Sequence, residues 1–131
     1  MHSLNIIILI ILAACLLPYI FAFIARLRSG YKRHLHGSPR EYLATQTGLV
    51  ARANAVQQNS FEGLPLFIAA MLMADYLVVP DYFSIMLGSV YILLRILYGI
   101  SYLCNAHLIR SILWVLATLC PIILLWMCIR F

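Results

Sequence analysis

The chain has 131 residues, of which 65% are hydrophobic and only 10% are charged. This composition excludes a soluble globular domain, in which about 25% of residues are charged, and it indicates a polytopic membrane protein. The formal net charge is +5. Because the cations concentrate in one loop, an anionic lipid surface accounts for them, and we expect no binding to nucleic acid.

The first predicted span covers residues 4–25, an apolar run interrupted by Asn5 and Pro18. It is long enough to cross a hydrocarbon core of about 30 Å at a helical rise of about 1.5 Å per residue. A signal peptide is the alternative interpretation. The first residues carry no basic segment, however, and the run ends in Arg26 and Arg28 rather than at a small-residue cleavage site, so we expect a retained anchor.

A basic loop is predicted over residues 26–46, where Gly30, Gly37 and Pro39 break helical structure. Its charged side chains are five cations and one acid, namely Arg26, Arg28, Lys32, Arg33, Arg40 and Glu41. Two histidines in this loop are two residues apart, a spacing that directs them away from each other on a helix. We therefore expect solvated histidines and no metal site.

The second predicted span covers residues 45–79, with a polar first half, an apolar second half and a kink at Pro65. At about 100° per residue, Arg52, Asn59 and Glu62 fall within one quadrant of this helix. A cation, an amide and a carboxylate therefore share one face at the point where the helix enters the bilayer. A polar face at this depth requires a polar or charged group to contact.

The third predicted span, residues 82–104, is apolar except for one polar stripe. The members of this stripe recur at helical spacings of four and three residues, and they are Tyr91, Arg95, Tyr98, Tyr102 and Asn105. A single cation near the middle of a span is costly unless it is paired or hydrated. We therefore expect Arg95 to face protein or a cavity.

The fourth predicted span, residues 108–129, begins with Arg110 and Ser111 and contains Pro121. Short connections between the spans force neighbouring helices to be antiparallel, which predicts an all-α, four-transmembrane-helix up-down bundle within a single domain of residues 1–131. The distribution of Lys and Arg predicts that the first and third connections are cytoplasmic and that both termini are extracytoplasmic.

This topology gathers a net cationic group of side chains at the cytoplasmic end of the bundle. Four arginines, Arg26, Arg52, Arg95 and Arg110, accompany one acid, Glu62. Such a set suits a small peptide with two carboxylates and one free amine. If the ligand carries a thiol, an adjacent arginine favours the reactive thiolate. In the alternative interpretation, Arg52 and Glu62 form an ion pair, within one helix or between helices, that only fixes packing, and the tyrosines belong to the core.

The same residues resemble a known family. The positions that carry the resemblance are Arg52, Gln57, Asn59, Glu62, Pro65 and Phe67 in the second span, Arg95, Tyr98 and Tyr102 in the third, and Arg110 and Ser111 at the start of the fourth. Over essentially its whole length, the chain resembles the membrane-associated proteins in eicosanoid and glutathione metabolism (MAPEG), which include microsomal glutathione transferases, leukotriene C4 synthase and prostaglandin E synthase.

The resemblance implies a homotrimer of four-helix bundles, with glutathione bound at subunit interfaces that open to the cytoplasmic side. It assigns Arg110 to stabilisation of the glutathione thiolate. It further implies that glutathione is held by Arg52, Asn59 and Glu62 from the second helix, by Arg95, Tyr98 and Tyr102 from the third, and by Arg26 and Gln57 across the interface.

Two departures from the family pattern bear on function. Ala55 stands where family enzymes usually carry a second arginine, and Gly63 stands where the leukotriene-forming branch often has tyrosine. We expect a glutathione transferase, with or without peroxidase activity, that acts on lipophilic electrophiles or lipid hydroperoxides in a bacterial inner membrane. The alternative is a non-catalytic membrane protein of the same fold that binds lipid or a partner protein.

Overall fold

The computed structural model describes residues 2–131, which fold into helices joined by short connections. In chain order the helices are α1 (His2–Ser29), α2 (Arg33–His36), α3 (Pro39–Ala44), α4 (Gly48–Tyr76), α5 (Asp81–Leu103) and α6 (His107–Arg130). The predicted basic loop therefore contains two short helices, α2 and α3. Pro65 lies inside α4, which remains helical through it.

Three of the four long helices, α1, α5 and α6, are long and apolar enough to cross a membrane. The fourth, α4, has 29 residues but does not meet the same criterion of apolarity. The polar side chains of its first half, including Arg52, Asn59 and Glu62, account for this difference. The outer faces of the apolar helices expose large hydrophobic side chains such as Phe23 and Trp126, as lipid contact requires.

The long helices form an up-down bundle. The start of α1 meets the start of α5, because Ser3 Oγ donates a hydrogen bond of 2.5 Å to Asp81 Oδ2. The start of α4 meets the end of α5, where Arg52 Nε donates to the carbonyl oxygen of Leu103 at 3.2 Å. Within residues 2–131, α4 and α5 each pack against the other three long helices, whereas the backbones of α1 and α6 do not approach each other closely. The predicted four-helix bundle is thus confirmed.

Two tight turns make the short connections on both sides of α5. At the end of α4, Val78 N–H donates to Asp75 O at 3.2 Å and Val79 N–H donates to Ala74 O at 2.9 Å. Together with the φ of 59° at Val78, these bonds define a Schellman turn. The end of α5 repeats this pattern with Asn105 at a φ of 61°. Neighbouring helices are therefore antiparallel.

Small residues allow α1 and α5 to approach closely. A Cβ atom added to Gly88 would lie 2.8 Å from Ile10, and one added to Gly99 would overlap the ring of Phe21. On the other side of α5, the rings of Phe67 and Tyr91 stack with their centroids 4.1 Å apart. Close packing of this kind holds membrane helices together where the surrounding lipid is as apolar as the core.

Candidate functional site

Arg95 lies inside the bundle with 3% of its surface exposed. Its Nη2 donates hydrogen bonds to Asn59 Oδ1 at 2.8 Å and to Ser60 Oγ at 3.0 Å. The guanidinium carbon lies 4.4 Å from the centroid of the Tyr98 ring, and Nε is buried without a hydrogen-bond partner. These contacts are all to neutral groups, so the buried cation keeps an unsatisfied affinity for an anion.

A cavity of about 180 Å³ lies beside Arg95, between α4, α5 and α6. Its lining residues are Asn59, Glu62, Gly63, Leu66, Tyr91, Arg95, Trp114, Thr118 and Pro121. The absence of a side chain at Gly63 leaves room for the Tyr91 hydroxyl, which would lie 3.1 Å from a Cβ at that position. Glu62 is exposed and lies at the border of this cavity, whereas Arg95 and Tyr91 are buried.

Arg110 lines a neighbouring cavity of about 390 Å³ together with Asn59, Tyr98, Ser111, Trp114 and Val115. Its guanidinium carbon lies 4.3 Å from the centroid of the Tyr102 ring. The rings of Tyr102 and Tyr98 meet edge to face at 5.8 Å. The predicted stripe on α5 therefore continues onto α6, with two arginines stacked on two adjacent tyrosines. Cation–π contacts of this kind orient a guanidinium group without neutralising its charge.

Arg26 and Gln57 lie on the opposite side of α4. They line a groove of about 640 Å³ between α1, α3 and α4. The other residues along this groove are Tyr19, Ala22, Ser38, Pro39, Arg40, Leu43, Asn54, Gln58, Phe61 and Glu62. Glu62 borders both this groove and the cavity beside Arg95. Within one chain, α4 thus separates Arg26 and Gln57 from the cavities of Arg95 and Arg110, and Glu62 borders both sides.

Arg52 lies at the start of α4, ten residues before Glu62. Its Nε donates to the carbonyl oxygen of Leu103 at the end of α5. Ten residues along a helix correspond to about 15 Å, which is too far for an ion pair between these two side chains in one helix. The length of the helix therefore excludes pairing within α4, whereas pairing between helices stays a prediction.

Three residues near Arg95 were not predicted as site residues. Ser60 accepts a hydrogen bond from Arg95, and Trp114 and Thr118 line the cavity beside it. Trp114 and Thr118 follow Arg110 at successive intervals of four residues, so helical periodicity could have identified them. Ser60 carried no such signal, because only the packing of α5 against α4 brings it to Arg95.

The geometry defines an integral membrane four-helix bundle with a cationic, tyrosine-lined site. The chain belongs to the MAPEG family, whose family model matches residues 6–130. That family has the four-helix membrane fold, and many of its members are glutathione transferases or peroxidases. Searches of curated proteins and of solved structures found no match.

Proposed function

We propose that this protein is a membrane-embedded glutathione transferase, with or without peroxidase activity. The observation that carries the proposal is Arg110, a half-buried cation that lines a cavity and is stacked on Tyr102. A guanidinium group beside a thiol lowers the free energy of the thiolate relative to the thiol. Membership of a family in which many proteins use glutathione supports this thiol as the ligand.

In the proposed reaction the glutathione sulfur, held as thiolate beside Arg110, attacks an apolar electrophile. A sulfur–carbon bond forms, and either a leaving group departs with its electron pair or a double bond takes up the charge. With a lipid hydroperoxide, the sulfur bonds instead to the outer oxygen while the O–O bond breaks and the lipid alkoxide leaves as the alcohol. A second glutathione then displaces water from the resulting sulfenic acid to give glutathione disulfide. Exclusion of water strengthens the interaction between the arginine and the sulfur, because charge interactions grow as the dielectric constant falls. Asn59 and Tyr98 border the same cavity, and we assign them to glutathione binding.

The second substrate would enter from the bilayer. An apolar groove of about 280 Å³ runs along α6 and is lined by Ser111, Ile112, Val115 and Leu116. It shares Ser111 and Val115 with the cavity of Arg110. A lipophilic electrophile or a lipid hydroperoxide in this groove would therefore be adjacent to the proposed thiolate.

We further propose that the functional unit is a homotrimer with glutathione shared between neighbouring subunits. This proposal is supported by the separation of the predicted residues onto two sides of α4, with Arg26 and Gln57 on one side and Arg110 on the other. A ligand that reaches both groups from one bundle would have to pass around the helix, whereas a neighbouring copy can supply the missing half. We also propose that this end of the bundle faces the cytoplasm and that the protein resides in a bacterial inner membrane.

Steady-state kinetics with glutathione and an apolar aryl halide test the proposed function. Arg110→Ala should lower kcat by about 100-fold with little change in the KM for glutathione, because the arginine acts mainly on the charge of the sulfur. Arg130→Ala removes the same charge from the exposed end of α6 and should leave both constants unchanged. Equal losses of kcat and of glutathione affinity in Arg110→Ala would contradict the assigned role.

A further inference from the structure

The short helix α3 packs against the long helices of the bundle. Leu43 is 5% exposed and packs in one cluster with Ala25 and Val50. The hydroxyl of Tyr42 donates to the carbonyl oxygen of Ser29 at 2.9 Å. Tyr42 belongs to α3 and Ser29 ends α1. This hydrogen bond and the packing of Leu43 therefore hold α3 beside the end of α1.

This position brings a second arginine to the groove between α1, α3 and α4. Arg26 comes from α1 and Arg40 from α3, and both line the groove. Glu62 is the one acid among the residues that line it. Both arginines are exposed, and the guanidinium carbon of Arg26 also lies 5.2 Å from the centroid of the Tyr31 ring. Two cations that line one groove favour an anion in it, and a carboxylate is the anion whose two oxygens match guanidinium geometry.

Gln57 adds a second requirement to the ligand of this groove. Its Oε1 atom is buried and accepts no hydrogen bond, although the residue lines the groove. A buried acceptor without a donor costs free energy that a ligand N–H group would recover. The groove therefore combines two cations for a carboxylate, an amide oxygen for an N–H donor and, at Glu62, a carboxylate suited to an ammonium group.

We infer that Arg40 is a ligand-binding residue of this protein and that, with Arg26, it binds one carboxylate of a zwitterionic peptide whose amide N–H is accepted by Gln57. The inference rests on the proposed function, in which that peptide is glutathione, and it adds a binding residue from outside the four long helices. An anionic lipid headgroup would also satisfy the arginines. A headgroup without an N–H group, such as that of phosphatidylglycerol, leaves both Gln57 and Glu62 without a partner, however, so the zwitterionic peptide is favoured over it.

The inference is tested with the full-length protein in nanodiscs made from zwitterionic lipid, by calorimetric titration with glutathione. The variants are Arg40→Ala, Arg40→Lys and Arg33→Ala. Arg33 lies exposed on α2, so its removal changes the net charge equally without altering the groove. Two further ligands each lack one carboxylate of glutathione: the ethyl ester of its glycine and the analogue with a decarboxylated glutamyl group.

Arg40→Ala should weaken glutathione binding by about tenfold, Arg40→Lys less, and Arg33→Ala not at all. Arg40→Ala and the parent should bind one of the two ligands that lack a carboxylate with equal affinity, because that ligand lacks the carboxylate that Arg40 would contact. Equal affinities of Arg40→Ala and Arg33→Ala for glutathione would overturn the inference while leaving the proposed function intact. If Arg40→Ala bound both of these ligands more weakly than the parent does, Arg40 would attract anions without contacting a particular carboxylate. A loss of affinity seen only when anionic lipid is added would have the same meaning. Either result would overturn the inference. A parent protein that binds no glutathione would overturn the proposed function and this inference together.

Discussion

Arg95 donates a hydrogen bond of 2.8 Å to Asn59 across the interface between α4 and α5. This contact joins the two helices that pack against all other long helices of the bundle, and it connects the cavity beside Arg95 with the cavity of Arg110, since Asn59 lines both. Asn59 therefore has two functions in the structure: it supports a buried cation, and it borders the proposed glutathione site.

Replacement of Asn59 by leucine should destabilise the bundle. Asn59→Leu removes an acceptor from Arg95, which is left with Ser60 as its remaining hydrogen-bond partner. We expect the free energy of unfolding to fall by about 2 kcal/mol, the cost of leaving a buried donor unsatisfied. The measurement is equilibrium unfolding in mixed micelles. Asn5→Leu, at an exposed position of α1, is the control, and equal stability of the two variants would contradict this role of Asn59.

The turn between α4 and α5 contains a residue whose backbone is strained. Val78 has a φ of 59°, a left-handed conformation that costs a residue with a β-branched side chain about 1 kcal/mol or more. Its side chain is 82% exposed, so little packing is lost on its removal. Val78→Gly should therefore raise the free energy of unfolding by about 1 kcal/mol.

The neighbouring valine provides the matched control for this prediction. Val79 is 2% exposed and belongs to the main hydrophobic cluster. Val79→Gly should lower the free energy of unfolding by at least about 2 kcal/mol, because it removes a buried side chain. If both glycine variants were destabilised to the same extent, the left-handed turn would not be the source of strain.

A mixture of two impaired chains tests whether the site is shared between subunits. Arg110→Ala and Arg26→Ala remove residues from opposite sides of α4. If one site combines Arg110 of one subunit with Arg26 of the next, random co-assembly restores both residues in about a quarter of the sites. We expect co-expressed chains to recover about that fraction of the parent activity per trimer. A mixture no more active than the separately expressed variants would indicate that each bundle contains a complete site.

Much of the fold could be predicted from the sequence, because it depends on local signals. Long apolar runs predict α1, α5, α6 and the second half of α4, and short connections predict the antiparallel order of these helices. The stripe that contains Arg95, Tyr98 and Tyr102 was also visible as a helical periodicity, and the structure keeps it on one face toward Arg110. These features follow from chain spacing alone.

The division of the site by α4 could not be predicted in this way. Helical spacing fixes the angle between Gln57 and Asn59 on α4, but it does not reveal which neighbouring helix packs on each side. The hydrogen bond from Arg95 to Ser60 and the position of Arg40 in the groove likewise depend on contacts between distant segments. A basic loop without apolar periodicity gave no indication that α3 would be held against α1.

In the proposed function, Arg110 holds glutathione as a thiolate. The most direct measurement is an ultraviolet difference titration of the purified protein in detergent with glutathione near neutral pH, in parallel with Arg110→Ala and the control Arg130→Ala. We predict saturable thiolate absorbance in the parent and in Arg130→Ala and its loss in Arg110→Ala. An equal thiolate signal in Arg110→Ala, or saturable glutathione binding without thiolate absorbance in the parent, would contradict the claim.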